Sequence, residues 1–429
     1  MPPFGHPNCR PLLRFEQGSR RYACHNVAQR TIAVTETPAD DEVRLRVHSL
    51  PDRFRRDAAN GLAAEWELAV DDDVYTITVG RKSCRVRDGA SASAGARITA
   101  DRETWLALDD GRTTGIEAFL GGHLTLRGNL DLGARLQSLF EPHARPRGPL
   151  DFDQVDVKAG DVKLSTYVVG EGPPVIALHG LGGTKISMLP IIPALAPYHR
   201  VIVPDLPGHG ESDKPASLQY TPRNYARIVR KLMDALDVDR AIVIGNSLGG
   251  RVALELAVRS PDRIRALGLL APAVPGFRVR YVLGFTRIIP TEVGAVPFPL
   301  RERWMKAAVR RLLGDPSKLP ESGYESAAEE FIRIYRTPAA RMAFFDSLRH
   351  ILTEAPKPFW ARMRHVRVPV QIVWGTADRL VPVRLAPKLA GELPDAELLV
   401  LPRVGHVPQF EATEQTTKAL TSFIAGLKA

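Results

Sequence analysis

Ile244-Gly245-Asn246-Ser247-Leu248-Gly249-Gly250 stands between a short β-branched run, Ala241–Ile244, and a helical pattern over Arg251–Arg259. A Gly-x-Ser-x-Gly placed between a strand and a helix makes a turn so tight that flanking side chains must be absent or small. The serine is then held in a strained backbone geometry. Its Oγ is raised at the start of the helix, where backbone N–H groups can meet an oxyanion. Ser247 is therefore the expected nucleophile.

Serine is a poor nucleophile at neutral pH, so it needs a base, and the base needs an orienting acid. His406 lies in Val404-Gly405-His406-Val407-Pro408, in a loop just past the apolar run Glu397–Leu401. Asp378 lies in Trp374–Pro382, directly after another such run, Val370–Trp374. The run ending near Leu270 leads into Ala271-Pro272-Ala273-Val274-Pro275, which offers no competing carboxylate. The expected set is Ser247 as nucleophile, His406 as base and Asp378 as its orienting acid. Pro174–Leu178, Arg200–Pro204 and Ala266–Leu270 are further short apolar runs. From residue 151 onward such runs alternate with helical stretches, the mark of a largely parallel sheet covered on both faces.

The chain order Ser247, Asp378, His406, together with Leu178-His179-Gly180-Leu181-Gly182-Gly183 after a strand, resembles the α/β-hydrolase superfamily over residues 151–429. The resemblance implies an oxyanion hole built from the backbone N–H groups of Leu181 and Leu248. It also implies a structural turn at Asp205–Ser212 and a supporting role for His179. The elbow and the segment from His179 to Lys185 look like those of monoacylglycerol lipase-type and related esterases. Carbon–carbon bond hydrolases of ring-cleavage products share much the same elbow. Haloalkane dehalogenases and epoxide hydrolases would carry Asp at position 247, so the serine argues against both.

Residues 276–367 separate two of the expected strands at the place where this superfamily inserts a helical cap. Phe277, Tyr281, Phe285 and Trp304 are the expected lining of an acyl pocket in it. The segment holds 17 basic and 9 acidic residues and so supplies most of the net charge of +10. That excess favours an anionic headgroup or membrane surface. A cap that merely packs its own helices would use the same aromatic residues.

Ahead of the Pro-rich stretch 141–150, the pattern is that of a small antiparallel sheet. Trp66–Val70 and Val74–Val79 alternate around Asp71-Asp72-Asp73, which signals a hairpin. Short strands are expected around Cys84–Arg87, Ala96–Ala100 and His123–Arg127. Asp101 can cap a helix over Arg102–Leu108, and Asp131 another that ends near Phe140. Leu50-Pro51-Asp52-Arg53-Phe54, the Trp66 hairpin, Asp101–Gly111 and Ala118–Gly128 resemble the sterol carrier protein 2 (SCP2) family. This resemblance implies a five-stranded sheet and helices around an apolar tunnel for fatty-acyl or sterol-like ligands. The expected organisation is an unassigned extension over 1–44, an SCP2-like domain over 45–140, a linker over 141–150 and a capped hydrolase domain over 151–429.

At 44% hydrophobic and 25% charged residues, the 429-residue chain is not of the disordered class. No run approaches ~18 apolar residues, so no spanning helix is expected. The first residues lack a secretory pattern, which points to the cytoplasm, with peripheral contact at an anionic membrane through the cap. Cys9, Cys24 and Cys84 have no CxxC spacing and give neither a disulfide framework nor a metal site. No cofactor is expected, and the basic excess comes without a nucleic-acid recognition motif. Oligomeric state is not legible in the sequence. The expected fold class is α/β: a capped α/β-hydrolase with a mostly parallel sheet, preceded by a small α+β SCP2-like domain. The expected activity is cleavage of carboxylic esters of lipids or other hydrophobic acyl compounds through an acyl-enzyme on Ser247. The alternatives are a carbon–carbon bond hydrolase, an acyltransferase and a non-catalytic lipid-binding protein.

Overall fold

Two sheets organise the chain, and the helices follow from what each sheet must bury. The computed structural model describes residues 39–144, 148, 150–276 and 300–427. The first sheet contains β1 (Ala64–Val70), β2 (Asp73–Val79), β3 (Cys84–Asp88), β4 (Ala96–Ala100) and β5 (Leu124–Gly128), in the order β3-β2-β1-β4-β5. The β1–β2 hairpin turns at Asp71-Asp72 and sets Trp66 opposite Ile77. Period-two alternation puts Trp66, Leu68 and Val70 inside, with Glu65 and Glu67 on the other face. The β1–β4 pairing is parallel, so the sheet is mixed.

The second sheet begins with an antiparallel pair, β6 (Phe152–Ala159) and β7 (Val162–Val169). Six parallel strands follow: β8 (Pro174–Leu178), β9 (Arg200–Pro204), β10 (Ala241–Asn246), β11 (Ile264–Leu270), β12 (Val370–Gly375) and β13 (Ala396–Leu401). Their order is β13-β12-β11-β10-β8-β9-β7-β6. The central strands β8, β10, β11 and β12 are buried almost throughout, as a sheet covered on both faces requires. Between β11 and β12 the described residues are helical, with helices at Glu302–Leu312, Glu321–Ile334, Pro338–Thr353 and Pro356–Met363. No helix among the described residues is long and apolar enough to cross a membrane.

Both sheets belong to one compact body that begins at Asp40. A continuous apolar core links Trp66, Ile77 and Leu139 to Tyr167, Val175 and Met188 on one face of the larger sheet. The helix Glu321–Ile334 lies along β5, an edge strand. Ser326 donates to the Leu126 carbonyl, the Gly128 N–H donates to Glu329 (3.0 Å), and Arg127 pairs with Glu325 and Glu329. A helix that satisfies edge groups in this way also shields the edge from unwanted pairing.

One capping expectation is overturned. Asn129, not Asp131, caps the helix Leu130–Arg135, accepting from the Leu132 N–H at 3.1 Å. The helix ends at Arg135 and gives way to a 3₁₀ turn, Gln137–Leu139, so it does not reach Phe140. Asp131 is freed from capping and buried, and its carboxylate has other partners, described below.

Candidate active site

Ser247 sits where β10 turns into the helix Leu248–Arg259, with φ 51° and ψ −112°. A non-glycine residue at that φ is strained, and its neighbours show why it is tolerated. A side chain at Gly245 would strike the backbone of Gly249, and one at Gly249 would strike Leu178 and His179. A Cβ at Gly250 would come within 2.8 Å of Pro272. Backbone hydrogen bonds fix the turn: Ser247 N–H to Leu270 (3.0 Å) and Ala273 N–H to Ser247 (2.9 Å). Ser247 itself stays half-buried.

Asp378 follows β12 and its carboxylate has no exposed surface. Oδ1 accepts the N–H groups of Leu380 (2.8 Å) and Val381 (2.9 Å), and Oδ2 lies 2.8 Å from His406 Nδ1. A carboxylate at Nδ1 holds the proton there and leaves Nε2 free to accept one. His406 lies in the loop after β13, and Leu312 accepts its backbone N–H at 2.7 Å. Asn246 Nδ2 donates to the carbonyls of both His406 (3.1 Å) and Leu270 (3.0 Å). The residue before Ser247 thus ties the histidine loop to the end of β10.

The loop after β8 completes the group. A Cβ at Gly180 would stand 3.2 Å from Ser247 Cβ, so the loop lies against the elbow. His179 is fully buried: its Nε2 accepts the Leu206 N–H (2.9 Å), which leaves Nδ1 to donate to Gly180 O (2.8 Å). Burial lowers its pKa. A neutral ring with both nitrogens engaged holds the loop and has no lone pair for catalysis. His209, 5.2 Å away ring to ring, is pushed down to about 3 by burial and by His179.

Beyond Gly182 the chain reaches Lys185, whose ammonium has no exposed surface. It lies 2.6 Å from Asp131 Oδ1, 2.8 Å from Asp205 Oδ2 and 3.1 Å from Ser165 Oγ. Burial opposes the charge on Lys185, but the two carboxylates overcome that and raise its pKa. For Asp205, burial is likewise outweighed by Lys185, which holds the carboxyl at about 2. Tyr167 O–H donates to Asp131 at 2.6 Å.

Phe331 and Phe344 pack edge to face, with Phe344 against Tyr335 as well. A Cβ at Gly182 would meet Phe331 at 3.2 Å and Phe344 at 3.4 Å, so this aromatic group covers the glycine loop. Trp304, expected in the pocket, is instead 48% exposed and lies beneath the guanidinium groups of Arg301 and Arg303. Its helix has no buried residue, which leaves the indole facing outward. Phe277, Tyr281 and Phe285 lie outside the described residues.

Three further positions tie the site to distant elements. Glu411 accepts the N–H groups of Gly405 (2.8 Å), Gly314 (2.7 Å) and Asp315 (3.2 Å), joining the histidine loop to the end of a cap helix. Asn246 and Asp131 are the others. The spacing of Glu411, five residues past His406, was available as a signal; the long-range partners of Asn246 and Asp131 were not.

Residues 173–413 match the alpha/beta hydrolase fold family, and residues 47–141 match the SCP-2 sterol transfer family. The chain is 33% identical to the dihydrolipoyllysine-residue acetyltransferase component of the acetoin cleaving system of Pseudomonas putida, over 59% of this chain and 64% of that one. It is 30% identical to a 2-hydroxy-6-oxo-6-phenylhexa-2,4-dienoate hydrolase of Burkholderia cepacia, over 60% of this chain and 89% of that enzyme. Among solved structures, a serine hydrolase involved in carbazole degradation superposes with a TM-score of 0.54 at 27% identity. It covers 64% of this chain and 99% of its own.

Proposed function

Since the chain belongs to the alpha/beta hydrolase family, we propose that it is a serine hydrolase cleaving esters of hydrophobic acyl groups through Ser247. The observation that carries this reading is the strained Ser247 beside a glycine loop roofed by Phe331 and Phe344. An apolar acyl chain fits such surroundings, and a carbonyl held there lies between nucleophile and loop. In the proposed cycle His406 Nε2 takes the Ser247 proton as Oγ attacks the carbonyl carbon. The N–H groups of Leu181 and Leu248 receive the oxyanion, each contributing on the order of 10²–10³ in rate. The tetrahedral adduct expels the alcohol, which takes the proton from His406. Water then attacks the acyl-enzyme, losing its proton to His406, and the acid leaves as Ser247 Oγ takes that proton back. Asp378 steadies the imidazolium in both halves.

The SCP-2 domain fits a hydrophobic small-molecule ligand, and we read it as a holder of the same class of substrate. If Phe331 lines the acyl site, Phe331→Ala should raise KM for a p-nitrophenyl octanoate about tenfold and leave that for the acetate unchanged. Equal effects on both esters would place Phe331 elsewhere.

A second reading, carbon–carbon bond hydrolysis, is favoured by the 30% identity to the phenylhexadienoate hydrolase. The same nucleophile would attack a ketone in place of an ester. Comparing kcat/KM for p-nitrophenyl octanoate and for 2-hydroxy-6-oxo-6-phenylhexa-2,4-dienoate separates the two. Preference for the dienoate by a hundredfold or more would replace the ester reading.

The cap surface supports peripheral contact with anionic lipid. An outward indole flanked by Arg301 and Arg303 is suited to the headgroup layer, where each cation contributes about 1 kcal/mol. Vesicles rich in anionic lipid should bind the protein more than neutral ones at low salt. The Trp304→Ser, Arg303→Ser double variant should lose most of that binding. No preference for anionic vesicles would remove the membrane contact.

A further inference from the structure

The loop that leans on Ser247 is held at both ends by the segment after β9. Leu206 N–H donates to His179 (2.9 Å) at one end, and Asp205 accepts Lys185 N–H (2.7 Å) and pairs with Lys185 Nζ (2.8 Å) at the other. A third hold comes from far away in sequence. Asp131 belongs to the helix Leu130–Arg135, which follows β5 of the small sheet, yet its carboxylate lies 2.6 Å from Lys185 Nζ. Its second tie is Tyr167 O–H on β7. Lys185 stands three residues past Gly182, the glycine beneath Phe331 and Phe344.

The same corner of the small sheet grips the cap. Leu130 N–H donates to Glu330 (3.3 Å), and Gly128 N–H to Glu329, both on the helix Glu321–Ile334. Phe331, next along that helix, is half of the roof over the glycine loop. The segment Leu126–Asp131 therefore touches the floor and the roof of the candidate site through separate partners.

We propose that Asp131 is a positioning residue: through Lys185 it holds the glycine loop in register with Ser247, so that the SCP-2 domain completes the hydrolase active site. This rests on the reading of Ser247 as nucleophile. The physical basis is directional. Lys185 has two carboxylates on different elements, and removing either lets the ammonium, and the loop with it, move toward the other. A shift of an ångström in an oxyanion donor is costly, because its contribution depends on meeting the oxygen at hydrogen-bond distance.

The test uses the full chain and a fluorophosphonate, whose phosphoryl oxygen must enter the oxyanion site as Ser247 Oγ displaces fluoride. The second-order labelling rate reports nucleophile and oxyanion hole together, whatever the natural substrate. Asp131→Asn should label about tenfold more slowly than wild type, part of the 10²–10³ that loss of a whole donor costs. Its Tm should stay within a few degrees, since Asp205 still neutralises Lys185. Tyr167→Phe, which removes only the hydroxyl that orients Asp131, should show a smaller slowing of about threefold. Arg55→Gln loosens another contact of the same domain, with Asp153 on β6 (3.7 Å), without touching Lys185 or the helix Glu321–Ile334, and should label at the wild-type rate. Wild-type labelling rates in both Asp131→Asn and Tyr167→Phe would overturn the proposal. So would an equal slowing in Arg55→Gln, which would mean that docking in general, not Asp131, matters. If Asp131→Asn does not fold, Tyr167→Phe decides alone. Failure of the wild type itself to label at Ser247 would overturn the nucleophile reading, and this proposal with it.

Discussion

Ser247→Ala is expected to lower kcat on p-nitrophenyl esters by on the order of 10⁶-fold while leaving the protein folded. In the proposed cycle the serine oxygen is the atom that forms the covalent bond, so removing it leaves only binding and oxyanion contacts to act on an attacking water. Stability should hardly change, because alanine suffers the same strain at φ 51° as serine does and fills the same space. Asp378→Asn should cost less, about 10⁴-fold. The amide offers an N–H where Nδ1 now meets a carboxylate oxygen, so the imidazole is pushed into the tautomer with its proton on Nε2. A Ser247→Ala variant that kept a tenth of the wild-type rate would remove the nucleophile assignment. Asp378→Asn at the wild-type rate would remove the orienting role alone.

The second large effect concerns stability. Lys185→Met should destabilise the fold by about 3–5 kcal/mol near neutral pH, because Asp131 and Asp205 would be left as uncompensated buried carboxylates. A pH dependence should also appear between pH 7 and 4.5, where the wild-type cluster contributes none. In wild type the raised pKa of Lys185 contributes stability below its ordinary value and loses it as pH rises through the raised one. The depressed pKa of Asp205 contributes stability above the ordinary carboxyl range and loses it as pH falls toward about 2. The cluster is therefore stabilising across the whole range between. Without Lys185, two buried carboxylates would hold protons more tightly folded than unfolded, so the variant should gain stability as pH falls from 7 to 4.5. Urea unfolding of both proteins at these two pH values checks it. A variant whose stability does not rise relative to the wild type's as pH falls from 7 to 4.5, or that loses under 1 kcal/mol, would show that the cluster is not held as described.

The sheet strands from β8 onward were legible because buried parallel strands read as short β-branched runs, and the hydrolase family match agrees with that reading. The small sheet was legible for the opposite reason, since its one-sided burial leaves alternation along Trp66–Val79. The pair β6 and β7 was not picked out, because Phe152–Ala159 and Val162–Val169 mix polar residues into both faces where the sheet edge meets solvent and the buried Ser165–Lys185 group. Ser247, Asp378 and His406 could be named from local patterns, each placed after a strand. Asp131 could not. A lone Asp near a helix start reads as a cap, and only its contacts with Lys185 and Tyr167, 54 and 36 residues away, give it another part. Trp304 misled for a similar reason: an aromatic residue on an amphipathic helix carries no mark of which side its partners lie on. Phe331 and Phe344 reach the glycine loop only because the cap folds back across it.

The most direct measurement is to mix the protein with p-nitrophenyl octanoate, quench in acid within seconds and weigh the intact chain and its peptides. Attack on such an activated ester should outrun deacylation, so the acyl-enzyme should accumulate, as a burst of nitrophenol would also report. The account predicts an added octanoyl group on the peptide that contains Ser247, disappearing as substrate is exhausted and absent from Ser247→Ala. Turnover of the ester with the adduct on another residue, or undiminished in the variant, would contradict it.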